Sequence, residues 1–419
     1  MSRLLLRRPV LSWALYDWAN SAFATTVLAG LFPIFFKQYW NAGVDVTVST
    51  FRLGLANSGA ALVVAVLAPL LGAIADRSGA RKRGLIVFAL TGVVATTLLF
   101  FIGAGGWLEA AVVFAAASVG FALANVFNDS MLVDVSDPAD MDVVSGYGYA
   151  LGYLGGGLLF GLNVVMVLQP GWFGLDAKDT AVRWSFVTVA IWWVVFSIPL
   201  VLFVDEKPTA DRVPLRAAVG AGLRQLRDTV RHLGNYKPAM FFLLAYWLYI
   251  DGVYTVIKLA ADYGLSLGFA DTDLIKALLL TQFVGFPSAL AFGWLGRRIG
   301  ADRGILIGLA VYLATSVWAY FLASTWQFYA MAVLIGLVQG GVQSLSRAYF
   351  GRLIPADMSG EFFGLFNMVG RFAAVIGPVL AGTVVLLTGN ARLEILAIVP
   401  LFVAGAGLLL LVRTEAGRA

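Results

Sequence analysis

Gly72-Ala73-Ile74-Ala75-Asp76-Arg77-Ser78-Gly79-Ala80-Arg81-Lys82 separates two long apolar runs, 52–75 and 84–104. A helix needs roughly 20 such residues to cross the ~30 Å hydrocarbon core of a bilayer, so each run reads as a span. The glycines permit a tight turn and close helix approach. Arg77, Arg81 and Lys82 place the turn on the cytoplasmic side, where Lys and Arg accumulate. Asp76 can pair with Arg77 or face a helix N-terminus, where the helix dipole favours a carboxylate.

Outward from this turn the pattern repeats. Further runs fall at 11–38, 108–133, 143–168 and 183–204, then at 238–262, 272–295, 303–323, 326–350, 360–388 and 391–413. This predicts an all-α integral membrane protein of 12 spans. The first span is read as a retained helix rather than a cleaved signal, because its apolar run continues through Asp17 and Asn20. With the N-terminus inside, 21 of the 29 Lys and Arg residues fall in the termini and cytoplasmic loops, against six on the other side. Both termini are therefore expected in the cytoplasm, and the membrane is expected to be a bacterial inner membrane.

The chain is 60% hydrophobic and 13% charged, with mean hydropathy +0.86. Soluble chains carry about 25% charged residues. Little length is left for a soluble domain. With no cysteine, a disulfide framework, a thiolate metal site and a Cys nucleophile are excluded. His232, the single histidine, lies in a basic polar stretch and reads as a surface residue. The net charge of +5 comes from residues flanking spans, which argues against a nucleic-acid partner. No metal site and no cofactor are expected, and no phosphate-binding loop of the G-x-x-x-x-G-K-[ST] type points to ATP. An enzyme would need a nucleophile, a metal set or paired acids at one depth, and the material for these is thin.

The one long polar segment, 205–237, reads as a cytoplasmic linker between halves at 1–204 and 238–419. The halves look duplicated. Pro138-Ala139-Asp140-Met141 follows the fourth span and Pro355-Ala356-Asp357-Met358 follows the tenth, 217 residues on. A weaker copy of the opening turn, Gly293-Trp294-Leu295-Gly296-Arg297-Arg298, lacks the aspartate.

Polar residues inside spans mark the candidate pathway for a substrate or proton, because an ionisable group at membrane depth costs at least ~2.5 kcal/mol and usually faces a cavity or a partner. In the first span Asp17, Asn20 and Ser21 share one helix face. In the seventh Asp251, Tyr254, Thr255 and Lys258 share another, and Lys258 can neutralise Asp251. Asn125, Asn128 and Asp129 lie in the fourth span, Gln339 and Gln343 in the tenth. Arg371, about eleven residues into the eleventh, cannot shed its proton and needs a carboxylate, a carbonyl or an anionic substrate. Gly148, Gly152 and Gly156 form a small-residue stripe suited to close packing.

Several of these segments resemble one family. They are W-x-x-Y-D-W-A-N-S at 13–21, the opening turn at 72–82, S-x-x-G-x-A-x-G-Y-x-G-G at 145–156, Y-x-D-G-V at 249–253 and Q-G-G-x-Q-x-x-S-R at 339–347. The opening turn resembles motif A of the major facilitator superfamily. The set is similar to the unknown major facilitator family, which includes autophagy-related vacuolar amino-acid effluxers. The resemblance implies two six-helix halves and a monomeric secondary transporter that moves a small solute by alternating access. Amino acids are the suggested cargo and protons the simplest coupling ion. It further implies a conformational latch formed by Gly72, Asp76, Arg77, Gly79, Arg81 and Lys82. An exporter of lipid-like or drug-like amphiphiles is one alternative, and a non-transporting membrane receptor or scaffold is the other.

Overall fold

The computed structural model describes residues 2–206, 213–231, 233–266, 268–373, 376–390 and 392–416; His232 lies outside them. Among the described residues, 12 helical segments are long and apolar enough to cross a membrane. Spans 1–6 are Arg8–Trp40, Val46–Ser78, Arg81–Phe101, Trp107–Val135, Met141–Leu168 and Lys178–Phe203. Spans 7–12 are Lys237–Ile257, Thr272–Ile299, Ala301–Ala319, Thr325–Leu353, Ala356–Thr388 and Arg392–Val412. Helices are the expected answer because hydrocarbon offers no partner for an unpaired backbone N–H or C=O. The even count brings both ends of the chain to one face, here termed the termini face.

One apolar core gathers residues of spans 1–6 between Val10 and Val204, joined by Ala348, and a second gathers residues of spans 7–12 between Ala239 and Val412. The two sets of spans meet mainly where span 5 packs on span 8 and span 2 packs on span 11.

Among the described residues, spans 1, 11 and 12 show the departures from uniform α-helix that matter for the site. Span 1 is α-helical to Ala22, then runs through π-helical turns at Phe23–Leu31 and Phe36–Trp40. Span 12 is interrupted after Leu396 and resumes at Val399. Span 11, expected as one helix over 360–388, is two pieces, Ser359–Phe372 and Ile376–Thr388. At the start of the second piece the N–H groups of Ile376 and Gly377 donate to a side chain rather than within the helix, as a polar backbone group at membrane depth needs an acceptor.

The segment expected to be a plain linker carries a 17-residue helix, Leu215–Arg231. Its buried positions Ala218, Gly222, Gln225 and Thr229 recur at helical spacing and face span 2, and Val213 N–H donates to the Arg77 carbonyl at 3.0 Å. Alternating polarity at a period near 3.6 was present in this segment, but its charge content masks it in a hydropathy reading.

The glycine stripe of span 5 is the seam against span 1. A Cβ at Gly152 would stand 2.6 Å from the Ser21 hydroxyl, and one at Gly156 would stand 2.7 Å from that of Thr25. One at Gly148 would collide with the Asp17 carboxylate. Gly152→Val is therefore expected to lower stability by about 1–3 kcal/mol through overpacking. Gly161→Ala, where a Cβ meets only a Leu279 methyl at 3.8 Å, should be close to neutral. Thermal unfolding in detergent checks both. Equal melting temperatures for the two variants would contradict the seam.

Candidate functional site

Arg347, near the end of span 10 and 2% exposed, joins the two sets of spans. Its Nη2 donates to Asp17 Oδ2 at 3.1 Å and to the Ser145 carbonyl at 3.1 Å. Nη1 donates to Asp129 Oδ1 at 3.0 Å, and Nε to the Ser145 hydroxyl at 2.9 Å. The guanidinium also lies over the rings of Trp13 and Tyr149, 4.7 and 4.5 Å from their centroids. Asn128 Nδ2 donates to Asp17 Oδ1 at 3.0 Å, and Asn367 Nδ2 donates to Asp129 Oδ2 at 3.0 Å. Spans 1, 4 and 5 are thus tied to spans 10 and 11 through one cation and two carboxylates. The planar fork of arginine suits this sharing, which lysine would satisfy poorly.

A second network lies at the termini face. Asp76 accepts the backbone N–H groups of Gly360 and Glu361 at 2.9 and 2.8 Å. It therefore caps the first piece of span 11 from span 2, at the electropositive helix end. Gly72 permits this, since a Cβ there would strike the Gly360 carbonyl. Gly79, with φ of 60°, closes the helix of span 2 in the left-handed conformation glycine favours. The partner of Asp76 is Arg81, with Nε to Oδ1 at 2.9 Å, and Arg81 Nη1 also holds Asp134 at 3.0 Å. Arg77 is engaged elsewhere. Its Nε donates to Gln225 Oε1 at 2.5 Å, and Gln225 Nε2 donates to Glu361 Oε2 at 2.6 Å. Of the two expectations for Asp76, the structure shows the helix N-terminus, and its ion pair is with Arg81, at the start of the next helix, rather than with Arg77. Lys82 Nζ donates to the Val204 carbonyl at 2.8 Å.

The weaker copy at the end of span 8 also makes ion pairs between the two sets of spans, with the charges reversed. Arg297 pairs with Asp140 at 3.1 Å, Arg352 pairs with Asp142 at 2.8 Å, and Gly293 lies against the Asp142 carbonyl. Here the acids stand at the start of span 5 and the bases come from spans 8 and 10.

Asp17 and Asp251, both assigned to the candidate pathway, belong to separate networks. Asp251, fully buried on span 7, accepts the N–H groups of Ile376 and Gly377 at 3.0 and 2.9 Å, and the Thr255 hydroxyl donates to it at 3.3 Å. It supplies the acceptor that the break in span 11 requires. Asn20 Nδ2 donates to Asn125 Oδ1 at 2.6 Å. The Tyr254 hydroxyl lies near Gly370, the residue before Arg371. The Tyr153 ring of span 5 lies against Gly340, next to Gln339, while Gln343 is half-buried one turn further along span 10. The Lys258 side chain lies outside the described residues.

Sequence reasoning missed Arg347, Asn367, Glu361, Gln225 and Asp134. Arg347 had a signal: it closes the polar run from Gln339, yet it sits only six residues from the span end and reads as a positive-inside flank. Arg347→Gln leaves two carboxylates without their buried cation, and such a loss typically costs about 3–5 kcal/mol. Arg347→Lys should recover only part of it. Asp251→Ala is expected to cost about 1.5–3 kcal/mol, the range for a hydrogen bond to a charged group. Melting curves rank the variants, and an Arg347→Gln protein as stable as the parent would contradict the network.

A family model described as "Vacuole effluxer Atg22 like" matches residues 40–419. The uncharacterized MFS-type transporter YxiO of Bacillus subtilis is 35% identical over 406 residues, covering 96% of this chain and 94% of its own length. Autophagy-related protein 22 of Yarrowia lipolytica is 26% identical, and the match covers 72% of this chain and 56% of that protein. Among solved structures, the human organic anion transporter MFSD10 superposes with a TM-score of 0.75 at 16% identity, covering 96% of this chain and 99% of that one. The proton:xylose symporter XylE superposes with a TM-score of 0.70 at 13% identity, covering 95% and 93%. These likenesses show the major facilitator fold, whose members are transporters rather than enzymes. The chain belongs to the Atg22-like vacuole effluxer family of major facilitator transporters.

Proposed function

We propose that this secondary transporter moves a small polar solute, with amino acids as the leading class, by rocking residues 1–204 against 238–419. The membrane is a bacterial inner membrane, the termini face is cytoplasmic, and the monomer is the working unit. The observation that carries the reading is the uneven placement of polar bridges between the two sets of spans. Arg347 to Asp17 and Asp129, Asp76 to the start of span 11, Arg352 to Asp142 and Arg297 to Asp140 all lie toward the termini face. Toward the opposite face there is a long contact, Gln282 Nε2 to Thr25 Oγ1 at 3.5 Å. A carrier held shut at one end by breakable ion pairs has the ingredients for alternating access.

Proton coupling fits the same network. Two carboxylates share one guanidinium, so a proton on Asp17 or Asp129 weakens the hold on Arg347 and favours opening at that face. The amino-acid assignment draws support from the effluxer description of the family and from the autophagy-related relatives.

The absence of cysteine makes the test direct. Spin labels on cysteines at Ala139 and Ala356, both exposed at the termini face, should report one short distance in the parent protein and an added longer population in Arg347→Gln. A single unchanged distance in both would refute rocking about this gate. In proteoliposomes, leucine counterflow should be present in the parent and lost in Arg347→Gln. A pH gradient should drive accumulation that a protonophore abolishes; accumulation indifferent to the protonophore would remove the proton from the mechanism.

A further inference from the structure

A cleft separates spans 1, 2 and 4 from span 11, lined by Leu28, Asn57, Ala60, Val64, Ser118 and Arg371. Arg371 stands in the last turn of the first piece of span 11, just before the break. Among the described residues no carboxylate forms an ion pair with it. The acids of the nearby spans are engaged: Asp17 and Asp129 hold Arg347, and Asp251 caps Ile376 and Gly377. The Arg371 guanidinium lies 6.0 Å from the centroid of the Phe121 ring, and the hydroxyls of Tyr246 and Tyr254 lie against the neighbouring Gly370. On the facing wall Ser118 is 5% exposed, and its hydroxyl is buried without a hydrogen-bond partner.

Two independent features therefore ask for the same thing. An arginine cannot discard its proton, and at membrane depth it needs an anion. A buried hydroxyl needs an acceptor or donor. We infer that this cleft is the subsite for the carboxylate of the transported solute, with Arg371 taking the charge and Ser118 donating to the same group. The inference deepens the carrier reading and rests on it. A single cation matches a monoanion, and a guanidinium matches a planar carboxylate in bidentate geometry. A phosphate dianion would call for more positive charge than these walls hold.

The test is a thermal-shift titration of the detergent-purified full chain with three probes: L-leucine, 4-methylpentanoate and leucinamide. These are a carboxylate with an ammonium group, a carboxylate without one, and the same skeleton with the carboxylate replaced by an amide. At least one carboxylate should raise the melting temperature of the parent protein, and leucinamide should not. Arg371→Gln should weaken apparent affinity at least tenfold, Arg371→Lys should retain part of it, and Ser118→Ala should weaken it a few-fold. Leucinamide binding as tightly as leucine, Arg371→Gln titrating like the parent, or no shift from either carboxylate would each overturn the subsite. Spin-label distances between positions 139 and 356 separate this from the carrier reading. An Arg371→Gln protein that still samples both distances but does not bind supports both. A parent that binds leucine yet never changes distance keeps the subsite and ends the carrier reading.

Discussion

A buried guanidinium must keep its counter-charges, and Arg347 has them only while spans 1, 4, 5 and 10 stand together at the termini face. The effective penalty for burying an ion is several kcal/mol, repaid only by close pairing and full hydrogen bonding. Arg347 meets that condition through two carboxylates, a hydroxyl, a carbonyl and two aromatic faces. In the proposed rocking cycle, the interaction that stabilises this arrangement is the one exchanged for water when that face opens. A replacement by packed hydrophobic side chains would be at least as stable but could not be exchanged in this way.

Helix ends impose a related constraint. Span 11 has two starting points, and each presents unpaired amides to a medium with few acceptors. Asp76 closes one from span 2 and Asp251 closes the other from span 7. One cap crosses between the two sets of spans; the other stays within the second set. In the proposed rocking, the crossing cap would break as the sets separate, while the internal cap would persist. The close approach in both cases needs a missing side chain, at Gly72 and Gly360 for Asp76 and at Gly377 for Asp251.

The Leu215–Arg231 helix adds a third layer to the termini face. Gln225 bridges Arg77 of span 2 to Glu361 of span 11, so the segment joining the two sets of spans in sequence also joins them in space. Beyond covering the connection, it places an amide side chain where two charged groups would otherwise lack a shared neighbour.

The number of spans, their boundaries to within a few residues, the motif turn at 72–82 and the glycine seam of span 5 were determined by the sequence itself. Each depends on local properties: apolar length against bilayer thickness, charge at loop ends, and residue size at helical spacing. The tertiary structure decided which charges meet. Arg81 rather than Arg77 holds Asp76, Arg347 rather than a midspan residue holds Asp17, and Asp251 accepts two backbone amides inside span 11, a bond that hydropathy cannot detect because it registers side-chain polarity and not where backbone N–H groups are satisfied. Pairings across 50 to 330 residues of chain, as between Arg81 and Asp134 or Arg347 and Asp17, depend on how helices lean and rotate against one another, and no property of either segment alone encodes that.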